Sequence, residues 1–217
     1  MTAIATTPTV FVVDDDISQR EALASLIQGS GWRAQTFASA QAFLARPGCA
    51  APSCVVLDVV LPDSSGLDLQ KRLAAEQPDM PVIFLANRVD VFTTVQAMKA
   101  GAIEFLTTPF HSGELLDAIR DALERSRRAR EHAAKMKPIH ESYALLTPRE
   151  RQVMALVVAG LLNKQVGGEL GISETTVKAH RGQVMRKMKA GSLPALVNMV
   201  AALGLLAPRL PYLSLAS

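Results

Sequence analysis

Roughly the first 120 residues alternate short apolar runs with amphipathic segments of helical period. Apolar, mostly β-branched runs between turn residues are typical of strands buried on both faces. The predicted strands are Thr9 to Val13, Trp32 to Phe37, Cys54 to Leu57, Val82 to Leu85 and Ala102 to Leu106. The predicted helices are Ser18 to Gln28, Ala40 to Leu44, Leu67 to Glu76 and Val91 to Ala100. Five β–α alternations predict an α/β fold, a parallel sheet covered by helices on both faces.

A helix is also predicted from Ser112 to Lys137. Its first part has an apolar stripe that would pack on the sheet, formed by Leu115, Leu116, Ile119, Ala122 and Leu123. Beyond Leu123 the pattern RSRRAREHAAKMK is polar on all sides, which predicts a solvated connector that Pro138 ends. Its basic residues could contact DNA phosphates, but a solvated helix face is the favoured interpretation.

The last third of the chain has the pattern of an all-α domain. Thr147, Pro148 and Glu150 form a capping-box start signal for a helix that continues to Val158. A short helix from Lys164 to Leu170, a turn through Gly171 and a longer helix from Glu174 then predict a helix-turn-helix. Ser192 to Leu206 is predicted to form a fourth helix. The predicted domains are 1–123, a helical linker over 124–142, a second domain over 143–207 and a tail over 208–217.

Charge differs between these parts. Residues 1–119 carry 7 Lys and Arg against 13 Asp and Glu, whereas residues 141–217 carry 9 against 4. A basic domain behind an acidic one makes the second domain the candidate for nucleic-acid binding.

Composition indicates a globular protein of the reducing cytoplasm. The chain is 49% hydrophobic, and its two cysteines, Cys49 and Cys54, are too few for a disulfide scaffold or a zinc site. The N-terminal residues lack the pattern of a secretory signal. The longest apolar stretch, Leu193 to Ala207, falls short of the ~18 residues of a membrane span.

Carboxylates follow two predicted strands. Asp58 ends one apolar run, and Asp14, Asp15 and Asp16 follow another. Ligands collect at this edge of open parallel sheets, and a hard cation such as Mg²⁺ relieves repulsion between carboxylates. The alternative is a solvated acidic loop after each strand. No Gly-x-Gly-x-x-Gly follows the first strand and no Walker A sequence is present, which disfavours a nucleotide enzyme.

The segments VFVVDDD, VVLDVVLPDSSG, AMKAGAIEFL and TPF resemble, in order and spacing, the receiver domain of response regulators. The resemblance implies a doubly wound, flavodoxin-like sheet of five parallel strands. It also implies that Asp58 accepts a phosphoryl group from a histidine kinase. Asp14, Asp15 and Asp58 would hold Mg²⁺ together with the backbone carbonyl of Val60. A hydrolase is disfavoured because Val60 stands where a second catalytic acid or base would be needed.

Two positions depart from the receiver pattern. The family has Thr or Ser where this chain has Ala86, and Lys where this chain has Thr108. In the family the hydroxyl and the ammonium both bind the phosphoryl group. Since a charge-assisted hydrogen bond contributes roughly 1.5 to 3 kcal/mol, phosphorylation should switch this chain more weakly.

The third switch position is Phe105, the aromatic residue that turns inward in receivers when the hydroxyl residue moves. Because Ala86 has only a methyl group, the space into which Phe105 would turn exists without phosphate. The switch would then be biased toward its active-like arrangement or worked by another input. Alternatively, Asn87, Arg88 or Thr107 replaces the missing groups and ordinary phosphorylation survives. The sequence leaves both hypotheses open.

The stretch from LTPRERQ to PALV resembles the LuxR/FixJ type of DNA-binding domain over about 60 residues. Helical spacing predicts that Val177, Val184 and Met188 are core residues of its last long helix. The opposite face is predicted to enter the major groove with Thr175, Lys178, Ala179, Gly182 and Arg186. Lys178 is the candidate for a guanine contact, and Arg181, Arg186 and Lys187 are candidates for phosphate contacts.

Together the two resemblances imply a transcriptional regulator of a two-component system that is not an enzyme. The implied partners are double-stranded DNA, a histidine kinase, RNA polymerase and a second copy of the chain on DNA. The competing hypothesis is a phosphorylation-independent regulator whose degenerate receiver docks a protein or a ligand.

Overall fold

The computed structural model describes residues 7–87 and 91–206 and divides the chain into two compact units, Met1–Glu131 and His132–Ser217. Each unit is described by itself. Among the described residues, no helix has the length and apolar character needed to cross a membrane.

The first unit is built on a five-stranded parallel sheet of order β2-β1-β3-β4-β5, which confirms the predicted fold class. Its strands are β1 (Thr9–Val13), β2 (Arg33–Phe37), β3 (Ser53–Asp58), β4 (Val82–Ala86) and β5 (Glu104–Thr107). The predicted start of β5 at Ala102 is wrong, because the Ala102 N–H donates to the Ala97 carbonyl (3.1 Å) and closes the preceding helix. The three central strands are buried along almost their whole length, as their apolar runs predict.

Among the residues that the structure describes, five helices cover the two faces of this sheet. They are α1 (Ile17–Gly29), α2 (Ala40–Leu44), α3 (Gly66–Glu76), α4 (Val91–Lys99) and α5 (Ser112–Ala144). One core includes Leu23 and Ile27 of α1 with Leu115 and Ile119 of α5, and the other includes residues of α2, α3 and α4. The sheet is therefore doubly wound, and the loops after its strands meet at one edge.

The predictions for α5 need two corrections. Pro138 does not end the helix, which continues to Ala144 because Ile139 and Tyr143 pack against the core of the second unit. The stretch beyond Leu123 is not solvated on all sides, since Ser126 is buried. Its hydroxyl accepts from the Ser53 N–H (3.2 Å) and donates to the Asp79 carbonyl (2.9 Å), which holds this part of α5 on the first unit.

The described part of the second unit, up to residue 206, contains four further helices: α6 (Pro148–Val158), α7 (Asn163–Leu170), α8 (Glu174–Lys187) and α9 (Leu193–Ala202). Thr147 and Glu150 form the predicted capping box at the start of α6. Gly171 adopts a left-handed conformation (φ 65°) between α7 and α8, which completes the helix-turn-helix. The prediction that α9 reaches Leu206 is wrong, because Leu203 caps it and Gly204 follows at φ 69°.

Candidate functional site

Three carboxylates converge at the carboxyl edge of the sheet. β1 and β3 are neighbours with Val13 paired to Leu57, so the residues that follow these two strands meet. One carboxylate oxygen from each of Asp14, Asp15 and Asp58 lies within 4.8 Å of the other two. Asp14 is buried, Asp58 is partly buried and Asp15 is exposed. The structure thus brings together the three carboxylates that the sequence predicts.

The electrostatics of this cluster favour a cation. Burial raises the pKa of Asp14, and the charges of Asp58, Asp15 and Asp16 raise it further, against the lowering effect of the Asp16 N–H. Burial and the charge of Asp15 also raise the pKa of Asp58, which the Val60 N–H lowers. Because desolvation and like charges disfavour ionisation, a hard divalent cation with oxygen ligands would stabilise all three carboxylates. The donor set therefore fits Mg²⁺.

Short hydrogen bonds hold the loop that carries Asp14 and Asp15. Asp16 caps α1 by accepting from the Ser18 N–H (2.7 Å), and Asp14 accepts from the Asp16 N–H (2.8 Å). One guanidinium nitrogen of Arg20 donates hydrogen bonds to the backbone carbonyls of Asp14 (2.7 Å) and Asp15 (2.8 Å). Sequence reasoning missed Arg20, although its place in the first turn of the capped helix is a usable signal.

The loop after Asp58 is fixed by a close approach to α3. The Asp58 carboxylate accepts from the Val60 N–H (3.2 Å), and the Gly66 N–H donates to the Val59 carbonyl (2.9 Å). A β-carbon at Gly66 would lie 2.5 Å from the Asp58 carbonyl oxygen. Glycine is therefore required here by space.

Asp63 ties the same loop to α2, a contact that the sequence does not predict. Its carboxylate accepts from the N–H groups of Ala40 (3.1 Å) and Gln41 (2.8 Å). These two hydrogen bonds lower the pKa of Asp63, the one from Gln41 most strongly. The loop that carries Asp58 thus also caps a neighbouring helix.

Of the three switch positions, Ala86 ends β4, Phe105 lies within β5 and Thr108 follows β5. Ala86 is buried, and the Thr108 N–H donates to its carbonyl (2.9 Å). The Thr108 hydroxyl lies 3.0 Å from the Ala86 carbonyl oxygen and 2.5 Å from Oδ1 of Asn87. A hydroxyl has one proton, so it donates to one of these acceptors at a time.

Phe105 is partly buried and stacks on Phe84, with the ring centroids 5.7 Å apart. Among the positively charged side chains that the structure describes, none forms an ion pair with Asp58. Arg88, one of the proposed substitutes for the missing lysine, lies outside the described residues. The Thr108 hydroxyl, which follows β5, is thus occupied by acceptors at the end of β4.

α8 presents the faces that helical spacing predicts. Val177, Val184 and Met188 are buried in the cores of the second unit. The opposite face is exposed and comprises Thr175, Lys178, Ala179, Gly182 and Arg186. Lys178 forms a surface ion pair with Glu174 (3.0 Å), which is weak enough to exchange for another anion.

Two of the three predicted phosphate contacts, Arg181 and Lys187, form polar contacts within the second unit. Arg181 donates to the Asn163 side chain of α7 (3.2 Å) and remains partly exposed. The Lys187 ammonium lies 2.6 Å and 2.9 Å from the two carboxylate oxygens of Glu150. Since Glu150 is only 4% exposed, this ion pair links α8 to the start of α6. Lys187 therefore has a structural role within the second unit, and its phosphate contact stays a prediction.

Replacing Glu150 with glutamine is expected to destabilise the second unit by about 2 kcal/mol, because the carboxylate serves both Lys187 and the helix cap. Lys187 and the Thr147 N–H lower the pKa of Glu150, so its stabilising contribution is complete above the unfolded-state pKa near 4.5. That contribution is lost as pH falls through the lower folded-state pKa. Urea unfolding of the natural chain and of Glu150→Gln should therefore show a difference in the free energy of unfolding at pH 7. That difference should become smaller in acid.

The matched control is Glu174→Gln, which removes a carboxylate from an exposed pair on α8. It should cost less than about 0.5 kcal/mol. Equal losses for the two variants would contradict the structural role of Glu150.

Comparison with known proteins gives a family match for each of the two units. Residues 10–120 match the response regulator receiver domain family, and residues 144–200 match the luxR family of bacterial regulatory proteins. Nodulation protein W of Bradyrhizobium diazoefficiens is 46% identical over 204 residues, which are 94% of this chain and 90% of that protein. The transcriptional regulatory protein FixJ of the same organism is 39% identical over 198 residues, covering 91% of this chain and 96% of that protein.

A solved structure shows the same organisation. The low-resolution structure of the response regulator StyR matches with a TM-score of 0.76 at 43% identity and covers 90% of this chain and 99% of that one. Both domains are thus found in the same order in relatives of nearly full length. The chain belongs to the NarL/FixJ family of two-component response regulators, with a receiver domain followed by a LuxR-type DNA-binding domain.

Proposed function

We propose that Asp58 is the phosphoacceptor of this receiver and that phosphorylation controls DNA binding by α8. The observation that carries the proposal is the convergence of three carboxylates, with partly buried Asp58 at the end of β3. An Asp58 oxygen would attack phosphorus while the bond from phosphorus to the imidazole of a histidine kinase breaks. Asp14, Asp15, Asp58 and the Val60 carbonyl would hold Mg²⁺, which when bound balances negative charge on the phosphoryl oxygens.

The phosphate switch of this chain is proposed to be weak. The buried methyl of Ala86 offers no hydrogen bond, and the Thr108 hydroxyl already donates to either the Ala86 carbonyl or the Asn87 side chain. Each missing partner would otherwise contribute roughly 1.5 to 3 kcal/mol to the phosphorylated form. The observed pairing of Thr108 also favours the second candidate function, a receiver that responds to a docked protein or ligand.

The exposed face of α8 is proposed to read DNA in the major groove. Lys178 would contact bases, and Arg181 and Arg186 would contact phosphates. RNA polymerase, a kinase and a second copy of the chain on DNA are the further partners that this role implies, and the cytoplasm is where such a regulator would act.

Two hypotheses account for the glycine at position 182 of α8. Either it lets the backbone approach DNA closely, or it is simply tolerated in the helix. A β-carbon there would meet nothing within 4 Å, so the unit itself does not require glycine. Gly182→Ala is expected to stabilise the second unit by about 1 kcal/mol and to weaken specific DNA binding about tenfold. Urea unfolding and fluorescence anisotropy on a selected site would measure the two effects. Unchanged affinity would mean that the glycine is merely tolerated.

The proposed function is tested by the affinity of the full chain for a selected DNA site, with and without Mg²⁺ and acetyl phosphate. We expect phosphorylation, checked by mass, to tighten binding only a fewfold. Asp58→Ala should abolish both the added mass and the tightening. Asp68→Ala, which removes an exposed carboxylate on α3, is the matched control and should change neither. A phosphorylated protein with unchanged affinity would instead support the docking function.

A further inference from the structure

Arg20 holds the loop of the acidic cluster without pairing with its carboxylates. It is half-buried, and none of the ion pairs formed by the described residues includes it. Its Nη1 instead donates to the backbone carbonyls of Asp14 (2.7 Å) and Asp15 (2.8 Å). A cation that bound the carboxylates would compete with Mg²⁺ for the same oxygens. Because Arg20 binds the carbonyls, it leaves the carboxylates of the cluster to the metal.

The first turn of α1 fixes the place of Arg20. Its backbone N–H donates to the Asp16 carbonyl (3.0 Å). The Asp16 carboxylate caps this turn by accepting from the N–H groups of Ser18 (2.7 Å) and Gln19 (3.4 Å). From this capped turn the Arg20 side chain reaches back to two successive carbonyls. Charge-assisted hydrogen bonds to two successive carbonyls hold two peptide groups at once, and these groups set the direction in which the two aspartate side chains leave the backbone.

Asp14 and Asp15 depend on this contact to different degrees. Asp14 is buried, its N–H donates to the Phe37 carbonyl (3.1 Å), and its carboxylate accepts from the Asp16 N–H (2.8 Å). Asp15 is exposed, and its carboxylate forms no ion pair with the residues that the structure describes. The hydrogen bond from Arg20 therefore matters more for the position of Asp15 than for that of Asp14.

We propose that Arg20 is a positioning residue for the metal site and that it raises the Mg²⁺ affinity of the receiver through the backbone of Asp14 and Asp15. The inference rests on the proposed function, in which these carboxylates hold Mg²⁺. Replacing residues that orient metal ligands typically lowers metal affinity roughly ten- to a hundredfold. The charge of Arg20 acts in the opposite sense, because a cation near the carboxylates repels Mg²⁺. Loss of positioning therefore weakens Mg²⁺ binding, whereas loss of charge alone strengthens it.

The test is a Mg²⁺ titration of the full chain at constant ionic strength, followed by the NMR shifts of the Asp16 and Val60 amide groups. Arg20→Met keeps an apolar stem but removes both hydrogen bonds, so its Mg²⁺ dissociation constant should rise about tenfold. Arg20→Lys keeps a nitrogen with several protons, so its dissociation constant should stay within about threefold of that of the natural chain. Arg33→Met is the matched control and should leave Mg²⁺ binding unchanged. It removes the same charge from an exposed residue at the start of β2, the edge of the sheet away from the cluster.

Phosphorylation by acetyl phosphate separates positioning from a general loss of structure. In Arg20→Met the Mg²⁺ concentration that gives half the maximal rate should rise about tenfold, while the rate at saturating Mg²⁺ stays within about twofold of that of the natural chain. Arg20→Gln, which is shorter and polar, provides the same comparison should Arg20→Met not fold.

The outcomes that contradict the inference differ from those that contradict the proposed function. Equal or tighter Mg²⁺ binding by Arg20→Met would overturn the positioning role and leave the proposed function in place. A rate that falls by more than about tenfold at saturating Mg²⁺ would also overturn it, because the loss would then lie in the chemistry and not in metal affinity. A natural chain without saturable Mg²⁺ shifts would overturn the proposed function, and the positioning role with it.

Discussion

Gly167→Ala is expected to destabilise the second unit by about 3 kcal/mol and to abolish specific DNA binding. A β-carbon at Gly167 would lie 2.7 Å from the Ile172 carbonyl oxygen in the turn between α7 and α8. The Ile172 N–H also donates to the Gly167 carbonyl (3.0 Å), so the turn cannot move away without losing that bond. Relief of the clash would change the angle at which α8 is held, and the exposed face of α8 is the proposed DNA-reading surface.

The adjacent glycine provides a matched control. Gly168 lies in the same helix and is exposed, and a β-carbon added there would meet nothing within 4 Å. Gly168→Ala should therefore stabilise the unit by about 0.5 to 1 kcal/mol, the usual gain in a helix. Urea unfolding and DNA affinity of the two full-length variants would measure the difference. Similar effects of the two alanines would contradict the role of the Gly167 contact.

The double variant Ala86→Thr with Thr108→Lys is expected to restore a strong phosphate switch. Each group would add a hydrogen bond or ion pair that exists only when Asp58 is phosphorylated, and each such contact contributes roughly 1.5 to 3 kcal/mol. Since 1.4 kcal/mol is a factor of ten, phosphorylation should then tighten DNA binding at least about tenfold more than in the natural chain. The measurement is DNA affinity with and without acetyl phosphate and Mg²⁺.

The two single variants complete a double-mutant cycle and show whether the two groups act together. Thr36→Lys is the control, because it places the same charge on an exposed threonine of another strand, β2. It should leave the response to phosphorylation unchanged. A double variant that responds no better than the natural chain would show that other residues already replace the missing groups, or that phosphate is not the input.

The local patterns of the sequence determined most of the fold. Buried strands, helical stripes and the Thr147 capping box depend on neighbouring residues, so they are readable from spacing alone. The acidic cluster was also predictable, because parallel strands bring their carboxyl ends to one edge. The helix-turn-helix was predictable from the same kind of local signal, a glycine between two helices.

Contacts between distant segments were decided only by the tertiary structure. No local pattern shows that Asp63 caps α2, that Glu150 holds Lys187, or that Ser126 joins α5 to the first unit. Gly66 and Gly167 look like ordinary turn or helix glycines until the approaching backbone is known. Sequence periodicity reports which face of an element is buried, but not which atoms meet there, because that depends on how separately formed elements pack.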